Sequence, residues 1–389
     1  MRIAYVCADR GVPVFGRKGC SVHVQELVRA LGASGARVEL FTPRGEGIPA
    51  PGFDDVKLHR LPFVQEEERA VREKRALAAN EDLQAALQRH GPFDFVYERY
   101  SLWSYAGMEM AKVWGVPGVL EVNAPLIDEQ AEHRGLVDRA GAETTARRVF
   151  QSATALVAVS REVAAYLARQ TMVRGRVHII PNGVDPKRFP SNPVRVGSRG
   201  PAQFVVGFVG SLKRWHGVSI LLEAFERARR RGPRIRLLIV GDGPERRNLE
   251  RDVGTRGLCG EVDFTGGVAP EAVPVLLASM DAAVAPYPKL GQFYFSPLKV
   301  FEYMAAGRAI VASRVGQLRE LLQDGVNALL CPPGDPTALA EALLRLEADR
   351  ALAQRLGEAA RSHVIRYHTW EAVARRVLRL AKAELVGQS

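Results

Sequence analysis

The segment QFVVGFVGSLKRWHGVSILLEAF, residues 203–225, shows the pattern that decides the fold. It begins with an apolar, valine-rich run, passes through a glycine-bearing loop, and takes on the spacing of an amphipathic helix from Gly217. A short buried strand followed by a helix is the unit from which parallel α/β sheets are built. The segment therefore predicts a strand and a helix, with the loop at the carboxyl end of the strand.

The rest of the chain alternates strand-like and helical runs in the same way. In the first half the strand-like runs are RIAYVCA, RVELFTP, VKLHRLP, FDFVYER, PGVLEV, ALVAVS and RVHIIP. After residue 203 they are QFVVGFVG, RIRLLIVGDG, VDFTGG, AAVAPYP, AIVASR and NALLCPP, before a helical tail from Asp335 to about Leu385. The helical segment 68–91 balances acids against bases, which is typical of a solvent-exposed helix.

A stretch rich in Pro, Ser and Gly, residues 189–203, separates the two alternating halves and is typical of a linker. At 389 residues the chain is too long for one ordinary core. We predict an α/β protein of two domains, residues 1–190 and 200–369. Ligands of such sheets bind at the carboxyl ends of the strands, so we expect the site in the cleft between the domains.

The composition indicates a globular protein, with 47% hydrophobic residues and no run of about 18 apolar residues. The first residues contain too short an apolar run for a signal peptide. Four cysteines without a metal-binding spacing predict reduced thiols and a cytoplasmic protein. The net charge of +11 favours anionic partners and permits peripheral contact with an anionic membrane. No zinc-finger or RNA-binding signature accompanies the charge, so we do not expect nucleic acid as a partner.

Three glycine-bearing junctions are candidates for phosphate contact. Gly19 precedes a helix, where backbone N–H groups could face an anion, although a flexible loop capped by Ser21 fits the same pattern. The loop after the strand QFVVGF carries Lys213, Arg214 and His216, which favours a diphosphate clamp, although a solvated basic turn has the same composition. The segment VGDGPER (240–246) lacks the third glycine of a dinucleotide fingerprint.

The segment SPLKVFEYMAAG, residues 296–307, is the strongest candidate for a helix that binds an anion. We expect Ser296 to cap the helix and Pro297 to be its first residue. Lys299 then adds a full charge to the first turn, and Glu302 lies about 4.5 Å further along the axis, where its carboxylate can accept hydrogen bonds from a ribose diol. A surface ion pair between Lys299 and Glu302 is the alternative.

Several other site classes have no sequence support. No Asp-x-Asp occurs, so a metal-chelating nucleotide-sugar site is not predicted. The chain also has no G-x-S-x-G elbow, no Walker lysine loop and no H-E-x-x-H.

With these residues in place, the chain resembles the retaining glycosyltransferases of family 4, which have the GT-B fold. The resemblance extends over nearly the whole length and rests on ordered blocks. They are GCSVHVQELVRAL, ALVAVS, HIIPNGVDPKRF, GFVGSLKRWHGV, LLIVGDGP, VDFTGGV, SPLKVFEYMAAG, IVASRVGQLRELLQDGVNALLCPPGD and Trp370. Two Rossmann-like domains facing each other across a cleft are what this resemblance implies.

The resemblance also implies how the substrates are held. The second domain would hold a nucleotide-diphosphate sugar, with Glu302 on the ribose, and the first domain would hold the acceptor. The remaining donor-binding positions are Gly19, Gly210, Ser211, His216, Gly266, Tyr294, Ser296, Pro297 and Leu298. A C-terminal helix, 370–389, would return to the first domain. Family members usually need no metal, and no cofactor beyond the donor is expected.

The chain departs from the family pattern in three ways. The arginine and lysine that the family often carries in the loop after the first strand of the second domain are Ser211 and His216 here. Eight residues before Glu302, where the family has a second glutamate, stands Tyr294. Lys299 occupies a position where many members have an apolar residue or proline. We therefore hypothesise that Lys299, helped by Lys213 or Arg214, supplies the cation that the loop lacks.

The acceptor side is less constrained. Asn123, Glu129 and His133 follow a strand of the first domain and are the candidate acceptor residues. The resemblance predicts sugar transfer with retained anomeric configuration to a glycan, lipid or small molecule. A nucleotide-sugar epimerase and a non-catalytic protein that binds nucleotides or polyanions are the alternatives.

Overall fold

The computed structural model describes residues 1–49, 51–63, 65–190, 203–232 and 234–387. The chain forms two compact units. The first comprises Met1–Asn182, Tyr294–Ser296 and Trp370–Ser389, and the second comprises Gly183–Phe293 and Pro297–Thr369. Most of the predicted linker, residues 191–202, lies outside the described residues. Both units are α/β, with one parallel sheet each.

The first unit contains seven parallel strands in the order β3-β2-β1-β4-β5-β6-β7. The strands are β1 (Arg2–Val6), β2 (Arg37–Thr42), β3 (Lys57–Arg60), β4 (Phe95–Arg99), β5 (Gly118–Val122), β6 (Ala155–Ala158) and β7 (Val177–Ile179). The helices are α1 (Gly19–Ala33), α2 (Arg69–His90), α3 (Ala106–Trp114), α4 (Leu126–His133), α5 (Arg139–Ser152) and α6 (Arg161–Ala168).

The second unit contains six parallel strands in the order β10-β9-β8-β11-β12-β13. The strands are β8 (Phe204–Val209), β9 (Ile235–Val240), β10 (Val262–Gly266), β11 (Ala282–Ala285), β12 (Ala309–Ser313) and β13 (Leu329–Cys331). The helices are α7 (Val218–Arg231), α8 (Arg246–Thr255), α9 (Val273–Ala278), α10 (Leu298–Ala305), α11 (Leu318–Leu321), α12 (Pro336–Ala348) and α13 (Arg350–Tyr367). The last helix, α14 (Trp370–Gly387), belongs to the first unit.

The strand-like runs quoted above all form strands, and the central strands of each sheet are buried on both faces, whereas the edge strands β3, β7 and β10 are only partly buried. In each sheet the strand order reverses once, between β1 and β4 and between β8 and β11. Loops on either side of such a reversal diverge and leave a crevice at the carboxyl edge, which is where doubly wound sheets bind ligands. The reversal points therefore locate one candidate site in each unit.

The charged helix α2 differs from the prediction of a solvent-exposed helix. Glu73, Asn80, Leu83 and Leu87 are buried along it. Both carboxylate oxygens of Glu73 accept backbone N–H groups, from Val137 and Asp138, at 3.0 and 2.8 Å. The partners lie 64 and 65 residues away in sequence, which is why the local charge balance did not reveal the buried face.

Candidate active site

Lys299 occupies the reversal point of the second sheet. It lies in the first turn of α10, and its Nζ is 4.1 Å from the centre of the Phe208 ring on β8 and 5.7 Å from that of Tyr287, just after β11. The hydroxyl of Tyr303 accepts the N–H of Val209 at 2.8 Å and ties α10 to the end of β8. The amine is therefore held between two aromatic rings at the carboxyl edge of the sheet.

The Lys299 amine is buried, and within the described residues it has no hydrogen-bond partner. Burial lowers the pKa of Lys299 to about 7, and Glu302 offsets this only in part. The predicted alternative, a surface ion pair between Lys299 and Glu302, is wrong for this reason. A cation surrounded by ring faces gains some cation–π stabilisation, yet its N–H donors remain available for an anion.

The loop between β8 and α7 brings Ser211 and His216, two residues predicted to bind the sugar donor, close to this amine. His216 Nδ1 lies 2.5 Å from the backbone oxygen of Ser211, so Nδ1–H donates to that carbonyl. Burial and the neighbouring Lys299 lower the pKa of His216 to about 3. A neutral imidazole thus stands where the family often has lysine, and the positive charge at this point belongs to Lys299.

Two glycines of this loop allow the close approach of backbone and amine. Gly210 has φ 147°, and a Cβ at this position would lie 2.7 Å from Lys299 Nζ. Gly217 has φ 71°, and a Cβ there would lie 1.8 Å from the carbonyl oxygen of Pro286, after β11. A side chain at either position would close the space around the amine or push apart the two sides of the reversal point.

Lys213 and Arg214, the other predicted cations, are placed differently. Lys213 Nζ lies 4.7 Å from the centre of the Trp215 ring, and Arg214 is exposed at the start of a single 3₁₀ turn. The structure therefore sets Lys299 apart from these two loop cations by its burial.

Gly266, another predicted donor-binding position, ends β10, and its carbonyl accepts the N–H of Gly241 at 3.0 Å.

Glu302 lies one turn further along α10 and contacts a residue that sequence reasoning missed. Arg188 Nη1 is 3.8 Å from Glu302 Oε1, and Arg188 Nη2 donates to the carbonyl of Pro270 at 2.9 Å. Arg188 belongs to the block HIIPNGVDPKRF that carried the resemblance. Arg188 and Glu302 are 114 residues apart in sequence, so no local sequence pattern could predict that they pair.

The start of α10 differs from the predicted capping. The helix begins at Leu298, Pro297 is the residue before it, and no side chain caps it. Ser296 instead belongs to the first unit, where its hydroxyl accepts the N–H of Asn182 at 3.2 Å and its carbonyl accepts Asn182 Nδ2 at 2.7 Å. The tertiary hydrogen bonds to Asn182 replace the local cap. Leu298 is half-buried, whereas Val300 and Tyr303 are buried.

The predicted acceptor residues lie at the carboxyl edge of the first sheet. Glu129 on α4 accepts the hydroxyl of Tyr294 at 3.0 Å and pairs with Arg134 at 2.8 Å. Burial and the Glu129 carboxylate raise the pKa of Tyr294 above its ordinary value. His133 is exposed at the end of the same helix. Tyr294 and Glu129, predicted for opposite substrates, are therefore direct partners in the first unit.

Asn123 and Gly19, predicted for the acceptor and the donor, both belong to the first unit, which also contains a buried charged group around Glu121. Asn123 follows β5, and its buried Nδ2 has no hydrogen-bond partner among the described residues, while Gly19 is exposed at the start of α1. His23 on α1 lies 2.8 Å from Glu121 and contacts the edge of Trp370 with ring centres 5.1 Å apart. Burial acts to raise the pKa of Glu121, but His23, Arg99 and Asn123 together hold it below its ordinary value.

Two family profiles match the chain. The profile described as Glycosyltransferase Family 4 matches residues 17–188, and the profile described as Glycosyl transferases group 1 matches residues 203–349. The chain belongs to the glycosyltransferases of family 4. This glycosyltransferase is accordingly an enzyme, and its two Rossmann-like domains are those of the GT-B fold.

Curated relatives and solved structures agree with this assignment. The 2-deoxystreptamine glucosyltransferase of Streptomyces kanamyceticus is 26% identical over 85% of this chain and 90% of its own length. The D-inositol 3-phosphate glycosyltransferase of Pseudarthrobacter chlorophenolicus is 27% identical over 88% and 85%. Sucrose-phosphate synthase from Thermosynechococcus elongatus superposes with a TM-score of 0.80 at 24% identity, over 100% of both chains.

A further solved structure with this fold contains a nucleotide sugar. Anabaena Alr3699/HepE, in complex with UDP-glucose, superposes on the glycosyltransferase with a TM-score of 0.75 at 16% identity, over 98% of this chain and 100% of its own. Among the described residues, no group of three or more His, Cys, Asp and Glu side chains is placed to hold a metal ion. In the same part of the chain, no helix has the length and apolar character needed to span a membrane.

Proposed function

We propose that this glycosyltransferase transfers a sugar from a nucleoside-diphosphate donor to an acceptor with retention of the anomeric configuration. The observation that carries the proposal is the buried Lys299 amine beside Gly210, at the reversal point of the second sheet. The UDP-glucose complex of a protein with the same fold supports a nucleotide-sugar donor. The second unit would hold the donor and the first unit the acceptor.

Lys299 is proposed to act on the leaving diphosphate. When the glycosidic bond to the donor phosphate breaks, negative charge develops on the diphosphate oxygens. A protonated amine with unused N–H donors stabilises this charge most strongly in a site that excludes water. Binding of a dianion also restores the ammonium form that burial disfavours, because an opposite charge raises the pKa.

The remaining groups are proposed to position the donor. Glu302, held by Arg188, would accept hydrogen bonds from the ribose hydroxyls, and Gly266 would lie near the base. Gly19 of the first unit and the loop residues Lys213 and Arg214 would contribute further diphosphate contacts. The acceptor hydroxyl would attack the anomeric carbon on the face from which the diphosphate leaves, through an oxocarbenium-like transition state. A diphosphate oxygen would take its proton.

We propose that the reaction requires no bound divalent metal, because the Lys299 ammonium supplies positive charge where the diphosphate charge develops. The four thiols Cys7, Cys20, Cys259 and Cys331 are unbonded and suit a reducing, cytoplasmic setting. The basic net charge supports peripheral contact with an anionic membrane surface.

A thermal-shift screen of nucleotide sugars, followed by mass spectrometry of the products, tests the proposal. We expect at least one nucleotide sugar to raise the melting temperature, and activity to persist in EDTA. NMR of the product should show the anomeric configuration of the donor. If no nucleotide or nucleotide sugar stabilised the protein, the proposal would fail, and conversion of a donor without acceptor would identify an epimerase instead.

A further inference from the structure

A cavity of about 590 Å³ lies within the first unit, at the carboxyl edge of its sheet. Loops that follow β1, β2, β3, β4 and β5 all contribute to its walls. It therefore adjoins the reversal point between β1 and β4. Its volume falls within the range of roughly 300–1,000 Å³ typical of small-molecule sites.

Two arginines on the cavity wall have no carboxylate partner within the described part of the chain. Arg10, after β1, has a buried Nη1 without a hydrogen bond, and its Nη2 donates only to the backbone oxygen of Arg75 at 3.3 Å. Arg72 lies on the half-buried side of α2. Burial and the nearby Arg75 lower the pKa of Arg10. Arg10 is half-buried, and its buried Nη1 is an N–H donor whose missing partner costs free energy until a ligand supplies an acceptor.

The acidic groups of the cavity wall are engaged elsewhere. Glu66 lies 3.2 Å from Arg75, and both oxygens of Glu73 accept backbone N–H groups. Asp9 accepts the N–H of Gly11 at 2.7 Å. None of these three carboxylates pairs with Arg10 or Arg72 in the described part of the chain, although Asp82 acts to raise the pKa of Arg10.

A buried hydroxyl supplies a further polar contact. Ser101, directly after β4, is 4% exposed, and its Oγ has no partner among the described residues. Arg44 donates to the backbone oxygen of Arg10 at 2.8 Å and so fixes the loop that carries it. Leu61, Leu102 and Trp103 provide apolar wall. The cavity thus combines two guanidinium groups that have no carboxylate partner among the described residues, a buried hydroxyl without a hydrogen bond there, and apolar surface.

We propose that this cavity binds the acceptor, and that the acceptor is a small polyhydroxy compound carrying a phosphate monoester. This rests on the proposed function. A monoester phosphate carries a charge of about −1.5 to −2 near pH 7 and three acceptor oxygens, which match two guanidinium groups. A carboxylate offers one charge and two oxygens, and satisfies one of the two arginines. The hydroxyls and ring of the acceptor pack against Ser101 and the apolar wall.

Binding of paired probes to the full chain, without donor, tests this assignment. The phosphorylated probes are glucose 6-phosphate and inositol 3-phosphate, and the matched probes are glucose, inositol and glucuronate. Isothermal titration is carried out on wild type, Arg72→Gln and Arg10→Gln. Arg89→Gln is the control, because Arg89 is exposed on the same helix and outside the cavity.

We expect at least one phosphorylated probe to bind, and to bind more tightly than its unphosphorylated match. Arg72→Gln and Arg10→Gln should weaken that binding about 10- to 100-fold, whereas Arg89→Gln should leave it within about twofold. UDP is titrated alongside and should bind all four proteins equally. Loss of UDP binding would count against the proposed function, not against the cavity.

Three results would overturn the assignment. They are no binding of either phosphorylated probe, equal effects of Arg72→Gln and Arg89→Gln, and glucuronate binding as tightly as glucose 6-phosphate. The last result would make the acceptor a sugar acid. Because Arg72 has no partner in the described residues, its substitution should leave the melting temperature unchanged, which separates lost binding from lost folding.

Discussion

Lys299 Nζ lies 4.1 Å from the centre of the Phe208 ring, and within the described residues it donates no hydrogen bond. Packing against the Phe208 ring therefore positions the amine, and no carboxylate among the described residues accepts a hydrogen bond from it. We predict that Lys299→Met weakens binding of the donor diphosphate about 10- to 100-fold, because one charge-assisted interaction is lost. The melting temperature should stay equal or rise, since methionine suits an aromatic pocket.

Lys213→Ala and Arg214→Ala are the matched controls for this prediction. We expect smaller losses of UDP affinity from each, because Lys213 stacks on Trp215 and Arg214 is exposed. Titration of UDP into all three variants makes the comparison. Intact affinity in Lys299→Met, with affinity abolished in the other two, would show that the loop and not Lys299 carries the cation.

Proton uptake should accompany donor binding. Burial lowers the pKa of Lys299 to about 7, whereas the pKa of a lysine in an unfolded chain is about 10.4. Between these pH values the unfolded chain binds more protons than the folded chain, so this group makes the free energy of unfolding rise with pH. A bound diphosphate favours the ammonium form. Affinity should therefore fall as pH rises above 7.

Titration of UDP at pH 8 in two buffers of different ionisation enthalpy measures this uptake. Wild type should take up a larger fraction of a proton than Lys299→Met, and its affinity should fall more steeply between pH 7 and 9. The two proteins share every other titrating group. Identical uptake in both would assign the proton to another residue.

Glu302 should recognise the nucleoside and not the diphosphate. We predict that Glu302→Gln weakens UDP binding about tenfold, because a carboxylate accepts diol hydrogen bonds more strongly than an amide. Pyrophosphate, which has no ribose, should bind wild type and variant alike. Competition of UDP and of pyrophosphate against a bound nucleotide sugar measures the affinity for each ligand. A matching loss for pyrophosphate would place Glu302 at the phosphates.

Gly217 should be required for stability. Its φ of 71° and the Pro286 carbonyl 1.8 Å from an added Cβ predict that Gly217→Ala destabilises the protein by about 2 kcal/mol or more. Gly254→Ala is the control, because a Cβ there meets no atom within 4 Å on a helix. Alanine at that position should stabilise by roughly 0.5 kcal/mol. Urea denaturation measures the free energy of unfolding, which should fall in Gly217→Ala and rise in Gly254→Ala.

Tyr294 should not tolerate the glutamate that the family carries. Its hydroxyl donates to Glu129 at 3.0 Å, so Tyr294→Glu would set two carboxylates together. We expect the variant to be about 1 kcal/mol less stable than Tyr294→Gln at pH 7. The difference should shrink at high ionic strength, which screens the repulsion between the two carboxylates. A difference that salt leaves unchanged would point to packing and not to charge.

The sequence indicated which residues of the second unit lie close together more reliably than it indicated their contacts. Lys299 and Glu302 were predicted as a pair from their spacing, and both lie on one helix at the sheet edge. Ser296 was predicted as a helix cap, but its hydroxyl accepts the N–H of Asn182. Arg188 and Arg72 were missed, because the first pairs with a residue 114 positions away and the second lies in a charge-balanced run.

The sequence by itself determined the alternation of strands and helices, because burial on both faces of a parallel sheet requires short apolar runs that are legible locally. It also determined which loops follow the strands, and hence which residues reach the carboxyl edges. Only the tertiary structure decided what those residues face. The strand order puts Phe208, Tyr287 and Lys299 together. Burial beside the two rings lowers the pKa of Lys299 and leaves its amine without a hydrogen bond among the described residues.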